Sequence, residues 1–355
     1  MKIGMSKDNT KAIKGIVIVL MIFHHLFRAP QIYKGFTPNF FPFNESDINN
    51  ITTFFKLCVG TFAFLSGYGL SKSWKKAKQS ENISTFIKKR YIKTFSSFWI
   101  VFLLSCIFCQ LLDWLTFNTY FKEGISVKTL FDFGMSFLGL SRIMGLEQLC
   151  YEWWYMSAYA IFLVLVPLLC EITEKIGGFA TIASITLFPR MCGIEFLGGT
   201  WPFSFIMAIY LGVLCNHNEI FEEINSYLSK CKNLFIETTV RIVISMVLLY
   251  ISYYVYMRLP NTIYWEIVYG VVPTAVVVAF YIILTVLPNI LNKLLILLGN
   301  HSMNIYLIHT LILRYTKPLI FNLPHFVISG IALLGISLIF SILIELIKKQ
   351  IYFLA

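Results

Sequence analysis

Apolar residues run in long, nearly unbroken stretches along this chain, separated by shorter polar segments that gather most of the charge. Stretches of about 17–25 apolar residues match the length an α-helix needs to cross the hydrocarbon core of a bilayer. They recur near 12–29, 51–71, 94–114, 153–171, 178–197, 201–216, 236–257, 262–287, 302–316 and 326–347. The pattern predicts an all-α fold, a polytopic bundle of about ten transmembrane helices. Gly, Pro or charged residues interrupt the fifth, sixth and ninth stretches. One further apolar run, 131–140, is too short to span and reads as an interfacial or re-entrant helix. The first stretch lacks a small-residue cleavage site and reads as a retained anchor rather than a removed leader.

Composition sharpens this picture. Hydrophobic residues make up 57% of the chain and charged residues 13%, against about 25% charged in soluble domains. The net charge of +11 follows the loops. Lys and Arg accumulate on the cytoplasmic side of membrane proteins. With the N-terminus inside, eighteen basic residues fall in cytoplasmic segments and ten on the other side, eight of the eighteen lying between Lys72 and Lys93. The expectation is a multi-pass protein of the cell membrane with both termini cytoplasmic. Topology accounts for the basic balance, which argues against a nucleic-acid partner.

The eight cysteines lie mostly in apolar spans, where cysteine acts as a small hydrophobe, and Cys106 and Cys109 have no second pair with which to form a metal or redox site. Asn44-Glu-Ser46 and Asn50-Ile-Thr52 match the glycosylation sequon. Neither an internal repeat nor a low-complexity tract is visible, and the reading is one transmembrane domain over 1–355 with no appended soluble domain.

Candidate chemistry begins in the first span, Lys11-Ala-Ile-Lys14-Gly15-Ile-Val-Ile-Val-Leu-Met-Ile-Phe-His24-His25-Leu-Phe-Arg28. A charge at mid-bilayer costs roughly 2.5–3.5 kcal/mol on insertion scales, so an ionisable group there marks a functional site by default. Lys14 and His25 are eleven residues apart, which places them on nearly one helix face and about 16 Å apart along the axis. By the same turn arithmetic His24 falls roughly 80° away. The bland alternatives are a flanking lysine and an interfacial histidine pair.

Five separated stretches, in order, resemble integral-membrane acyltransferase family 3, whose members O-acylate cell-surface glycans and related acceptors. They are Lys14-Gly15 with His25; Phe62-Ala-Phe-Leu65-Ser66-Gly67-Tyr68; Lys89-Arg90-Tyr-Ile-Lys93; Trp153-Trp-Tyr-Met-Ser-Ala-Tyr159 through Val166-Pro167-Leu168; and Leu298-Gly299-Asn-His-Ser302-Met-Asn-Ile-Tyr306-Leu-Ile-His309. Two positions depart from the family pattern, since Lys14 and Lys93 stand where arginine is usual. Lysine keeps the charge but lacks the planar fork.

The resemblance implies that His25 is the catalytic histidine, a role that suits acyl transfer because a neutral imidazole can take an alcohol's proton as the alcohol attacks a thioester. Lys14 joins it in the catalytic group, as a contact to the donor or a support for His25. A carboxylate among Glu152, Glu195, Glu237 and Glu266 is expected to orient the histidine, with Glu152 chosen for its shared depth. Lys89, Arg90 and Lys93 are the candidate contacts to the phosphates of acetyl-CoA or another acyl-CoA donor. Ser66, Tyr306 and His309 are the candidates for substrate binding, with helix packing as the alternative for Ser66 and His309. No metal is expected.

The function so implied is an O-acyltransferase, most simply an O-acetyltransferase, acting on a hydroxyl of a saccharide or cell-envelope polymer within the lipid bilayer. Direct transfer and a covalent intermediate both stay open. A glycan transporter or flippase is the main alternative, since intramembrane histidines and broken helices also line substrate paths; a silent membrane sensor is the third.

Overall fold

A computed structural model describes residues 4–193, 201–230, 233–260 and 263–354. The helices are α1 (Lys7–Phe27), α2 (Glu45–Phe54), α3 (Cys58–Ala77), α4 (Ile83–Asp113), α5 (Leu115–Tyr120), α6 (Val127–Phe137), α7 (Trp154–Ile176), α8 (Gly178–Met191), α9 (Ile206–His217), α10 (Ile220–Leu228), α11 (Leu234–Arg258), α12 (Val272–Leu284), α13 (Asn289–Phe321) and α14 (Phe326–Leu354). No strand occurs among the described residues. Polar residues start several of the helices. The side chains of Ser6, Asn82, Ser126 and Asn233 accept from backbone N–H groups in the first turns of α1, α4, α6 and α11, which satisfies donors that a helix start leaves free.

Eight helical stretches among the described residues are long and apolar enough to cross a membrane: Lys7–Phe27, Glu45–Ala77, Ile83–Asp113, Tyr151–Ile176, Leu234–Arg258, Ile267–Leu284, Asn289–Phe321 and Phe326–Ile351. They correspond to eight of the ten expected spans. The other two are shorter, Gly178–Met191 with Pro189 in its last turn and Pro202–His217; these are the fifth and sixth stretches, while the ninth, also interrupted in sequence, lies within the long helix Asn289–Phe321. The part of the fifth expected span that includes Glu195 lies outside the described residues, as do Cys231 and Lys232.

Two glycine pairs set the architecture. A β-carbon on Gly15 would overlap the Leu295 carbonyl, and one on Gly299 would overlap the Lys11 carbonyl. Because His25 also meets His309 farther along both helices, α1 and α13 run parallel, with Gly15 and Gly299 at their crossing, backbone against backbone. Gly67 against Ile209 and Gly212 against Phe64 join α3 to α9 in the same way. Starting from the Gly15–Gly299 level, ten residues along each helix lead to His25 and His309, so small residues at one depth bring two histidines together at another.

The short apolar run forms α6, which descends beside α4. Phe133 packs on Phe102, Phe137 stacks on Trp99 at 5.5 Å, and the Leu138 carbonyl accepts from the Tyr91 hydroxyl at 2.7 Å. From Phe102 to Tyr91 is about 16 Å along a helix. The segment then turns back, and Leu149 N–H donates to Tyr120 at 3.0 Å. It is thus a re-entrant hairpin, and its return delivers Cys150 and Glu152 to the bundle interior and leaves Tyr151 exposed at the cavity.

At the end of the bundle where α1 finishes, the loop 30–44 is tied down by Tyr33, which donates to Glu45 at 2.8 Å and to Asn49 at 3.1 Å. Burial, then the Glu45 carboxylate, pushes its phenol up to about 12, so it stays a neutral donor near pH 7.

Candidate active site

A cavity of about 310 Å³ runs between α1, α3, α4, α7 and α13. Lys14, Ser302, Thr94 and Tyr159 line one end, which lies toward the start of α1; His24, Arg28, Lys56 and Tyr151 line the other. Between them the wall is mostly apolar, with Met21, Val59, Phe62, Tyr155, Met156 and Met303. His25, Glu152, Ser66 and Tyr306 also line it. Six of the nine residues singled out from sequence therefore gather here, since Lys14, His25, Glu152, Ser66 and Tyr306 line the cavity and His309 lies directly behind His25.

His25 Nδ1 lies 3.7 Å from Glu152 Oε1, too long for a hydrogen bond in this state but within ion-pair range once the imidazole is protonated. Glu152 Oε2 accepts from Thr310 Oγ1 at 3.0 Å and from the Cys150 thiol at 3.2 Å. Two further bonds hold its backbone against α13: the Tyr306 hydroxyl donates to the Glu152 carbonyl, and the Trp153 indole donates to Leu307 O at 2.8 Å. The carboxylate is therefore aimed by α13 and by the adjoining Cys150 rather than by its own rotamer. Burial pushes the Cys150 thiol well above its ordinary value, so it stays protonated as a donor to Glu152.

Of the other expected partners for His25, the two among the described residues are committed elsewhere. Glu237 accepts from Arg241 at 2.7 Å and Glu266 from Arg190 at 2.5 Å. Chain geometry, rather than spacing, singles out Glu152.

The two remaining histidines differ in attachment. His24 is buried and bonded through Nδ1 to the Thr52 carbonyl at 2.7 Å, which ties α1 to α2. His309 is fully buried, its ring centroid 4.9 Å from that of His25. Its Nδ1 faces the carbonyls of Ile305 at 3.1 Å and Tyr306 at 2.9 Å in its own helix. Those acceptors require the Nδ1–H tautomer, which leaves a lone pair on Nε2, and Nε2 has no partner.

Ser66 donates to the Phe62 carbonyl at 2.8 Å. Its neighbour Gly67 makes the helix contact, so this motif serves close packing and one cavity wall.

The basic stretch before α4's apolar part does not line the cavity. Lys89 is exposed and pairs with Glu81 at 2.5 Å, Arg90 lies over the Phe86 ring at 5.4 Å, and Lys93 is exposed. Arg90 is one helical turn from Thr94, which bonds Tyr159 at 3.4 Å in the cavity wall. Of the three, Arg90 stands nearest the opening.

Sequence reasoning missed Thr310, Cys150, Arg28 and Lys56. Arg28 follows His25 by three residues and so shares its side of the helix, which was readable. Nothing in the spacing connects Thr310 or Cys150 with Glu152. Among the described residues, no group of three or more His, Cys, Asp or Glu is arranged to hold a metal ion.

A family model described as an acyltransferase domain matches residues 9–346. Comparison with curated proteins and with solved structures found no match.

Proposed function

The chain belongs to integral-membrane acyltransferase family 3 and is a multi-pass membrane acyltransferase, and we propose that it moves an acyl group, most simply acetyl, from cytosolic acyl-CoA to a hydroxyl of a saccharide or cell-envelope polymer. The observation that carries this reading is the His25–Glu152 pair, 3.7 Å apart, in the wall of a cavity with cations at both ends.

The end where α1 begins is assigned to the cytoplasm, in keeping with the basic residues between Lys72 and Lys93. Acyl-CoA would meet Arg90 and Lys14 there, with its thioester arm along the apolar middle of the cavity. The acceptor would come from the opposite side.

In the reaction, His25 takes the proton of the acceptor hydroxyl as that oxygen bonds to the thioester carbonyl carbon. Nδ1 faces Glu152, which leaves Nε2 for the hydroxyl. The imidazolium that forms is stabilised by the Glu152 carboxylate. The tetrahedral oxyanion then collapses, the C–S bond breaks, and the departing CoA thiolate takes the proton back from His25. The products are the ester and free CoA.

Direct transfer is favoured over a covalent intermediate because neither nearby nucleophile is activated. Cys150 is a protonated donor to Glu152, and Ser66 gives its hydroxyl to its own helix.

The test is mass analysis of surface glycans with and without the gene, together with CoA release by the full-length protein in nanodiscs supplied with acetyl-CoA. The expected result is one acyl increment that disappears with the gene and with His25→Ala. Glycan movement without acyl-CoA consumption would instead favour a transporter.

A further inference from the structure

Within the acyl-transfer reading, we propose that the acceptor is anionic: a saccharide or polyol chain carrying a carboxylate or phosphate about one helical turn from the hydroxyl to be acylated, held by Arg28 and Lys56.

Arg28 is the residue at which α1 ends, three positions after His25, so the two project toward the same side with about 4.5 Å of rise between them. Lys56 lies across the cavity mouth, in the turn Phe55–Leu57 that joins α2 to α3. Both side chains line the cavity, and Lys56 is half-buried. Among the described residues neither has a carboxylate or a hydrogen-bond acceptor within reach.

Three other arginines of the bundle have carboxylate partners, while Arg90 and Arg258 rest on the Phe86 and Tyr254 rings. Arg190 pairs with Glu266, Arg241 with Glu237 and Arg314 with Asp113. The acids nearest the mouth are taken as well, Glu45 by Tyr33 and Glu152 by Thr310 and Cys150. Two unpaired cations at one partly buried opening repel each other, and an anion between them relieves that repulsion. A neutral sugar would leave it in place. The geometry adds register: an anion bridging Arg28 and Lys56 sets a neighbouring hydroxyl at the depth of His25.

Three acceptor oligomers of matched length separate the sources of charge: a neutral glucan, a glucuronate oligomer and a polyol phosphate. Full-length protein in nanodiscs with radiolabelled acetyl-CoA should favour one of the two anionic oligomers over the glucan by at least about tenfold in kcat/KM. The favoured arm identifies carboxylate or phosphate as the recognised group. Added salt should erode the preference.

Arg28→Gln with Lys56→Gln should abolish the preference through acceptor KM while acetyl-CoA KM holds. Arg28→Lys should retain most of it, which guards against a folding defect. Equal use of all three oligomers, or a preference that survives the double substitution, overturns the proposal. An enzyme that releases CoA but shows no preference overturns this inference alone. One that never releases CoA from acetyl-CoA overturns the acyl-transfer reading as well.

Discussion

Replacing Glu152 by Gln removes one negative charge and almost nothing else. Gln has the shape of Glu and still accepts from Thr310, so the 3.0 Å bond and the backbone anchors from Tyr306 and Trp153 survive. What disappears is the attraction between the carboxylate and the imidazolium that forms on His25 during transfer. At the observed 3.7 Å and an effective dielectric constant of about 20, that attraction is about 4.5 kcal/mol. Gln retains a dipole toward the ring, and both side chains are 19% exposed. A loss of about 3–4 kcal/mol of transition-state stabilisation follows, or roughly 10²–10³-fold in kcat. Acyl-CoA KM should hold, because the charge acts on an ion absent from the ground state. The assay is single-turnover acyl transfer in nanodiscs at matched protein levels. Thr310→Val is the graded control: it keeps the carboxylate but releases one oxygen, for an expected loss of about tenfold. A Glu152→Gln enzyme within threefold of wild type would refute the pairing as the source of His25's power.

His25→Ala should abolish transfer with membrane insertion intact, whereas His24→Ala should lower thermal stability by about 1–3 kcal/mol through the lost bond to Thr52 and keep measurable turnover; equal activity losses would remove the distinction. Lys14→Arg should retain substantial activity and Lys14→Gln should lose most of it, measured as transfer and as acyl-CoA KM, since a point charge at the cavity end needs no fork. Full activity in Lys14→Gln would reduce Lys14 to a topology signal. Gly299→Val should separate α13 from α1 at their backbone contact, with transfer and detergent stability lost together, because the β-carbon overlaps the Lys11 carbonyl; retained activity would show that the helices can part without moving His309 from His25.

Sequence alone determined the membrane class and most of the spans, because crossing a bilayer demands an uninterrupted apolar run that composition displays directly. It also picked out His25 and Lys14 as co-facial, since eleven residues on one helix is a local relation that helix geometry converts to distance. The pairing of Gly15 with Gly299 was not local. Each glycine was visible in its motif, yet only packing revealed that they meet and that their meeting carries His309 to within 4.9 Å of His25. The carboxylate was undecidable for the same reason, since four glutamates had plausible depth. The re-entrant hairpin, ending on anchors from Tyr306 and Trp153, is what carries Glu152 to the histidine, while Glu237 and Glu266 are drawn off by arginines. Arg28 and Lys56 show the limit most clearly. A basic residue in a loop reads as topology until the tertiary structure shows that these two cations lack a counter-ion among the described residues and line the same opening. Pairing is a property of neighbours in space, and a linear pattern of charge does not contain it.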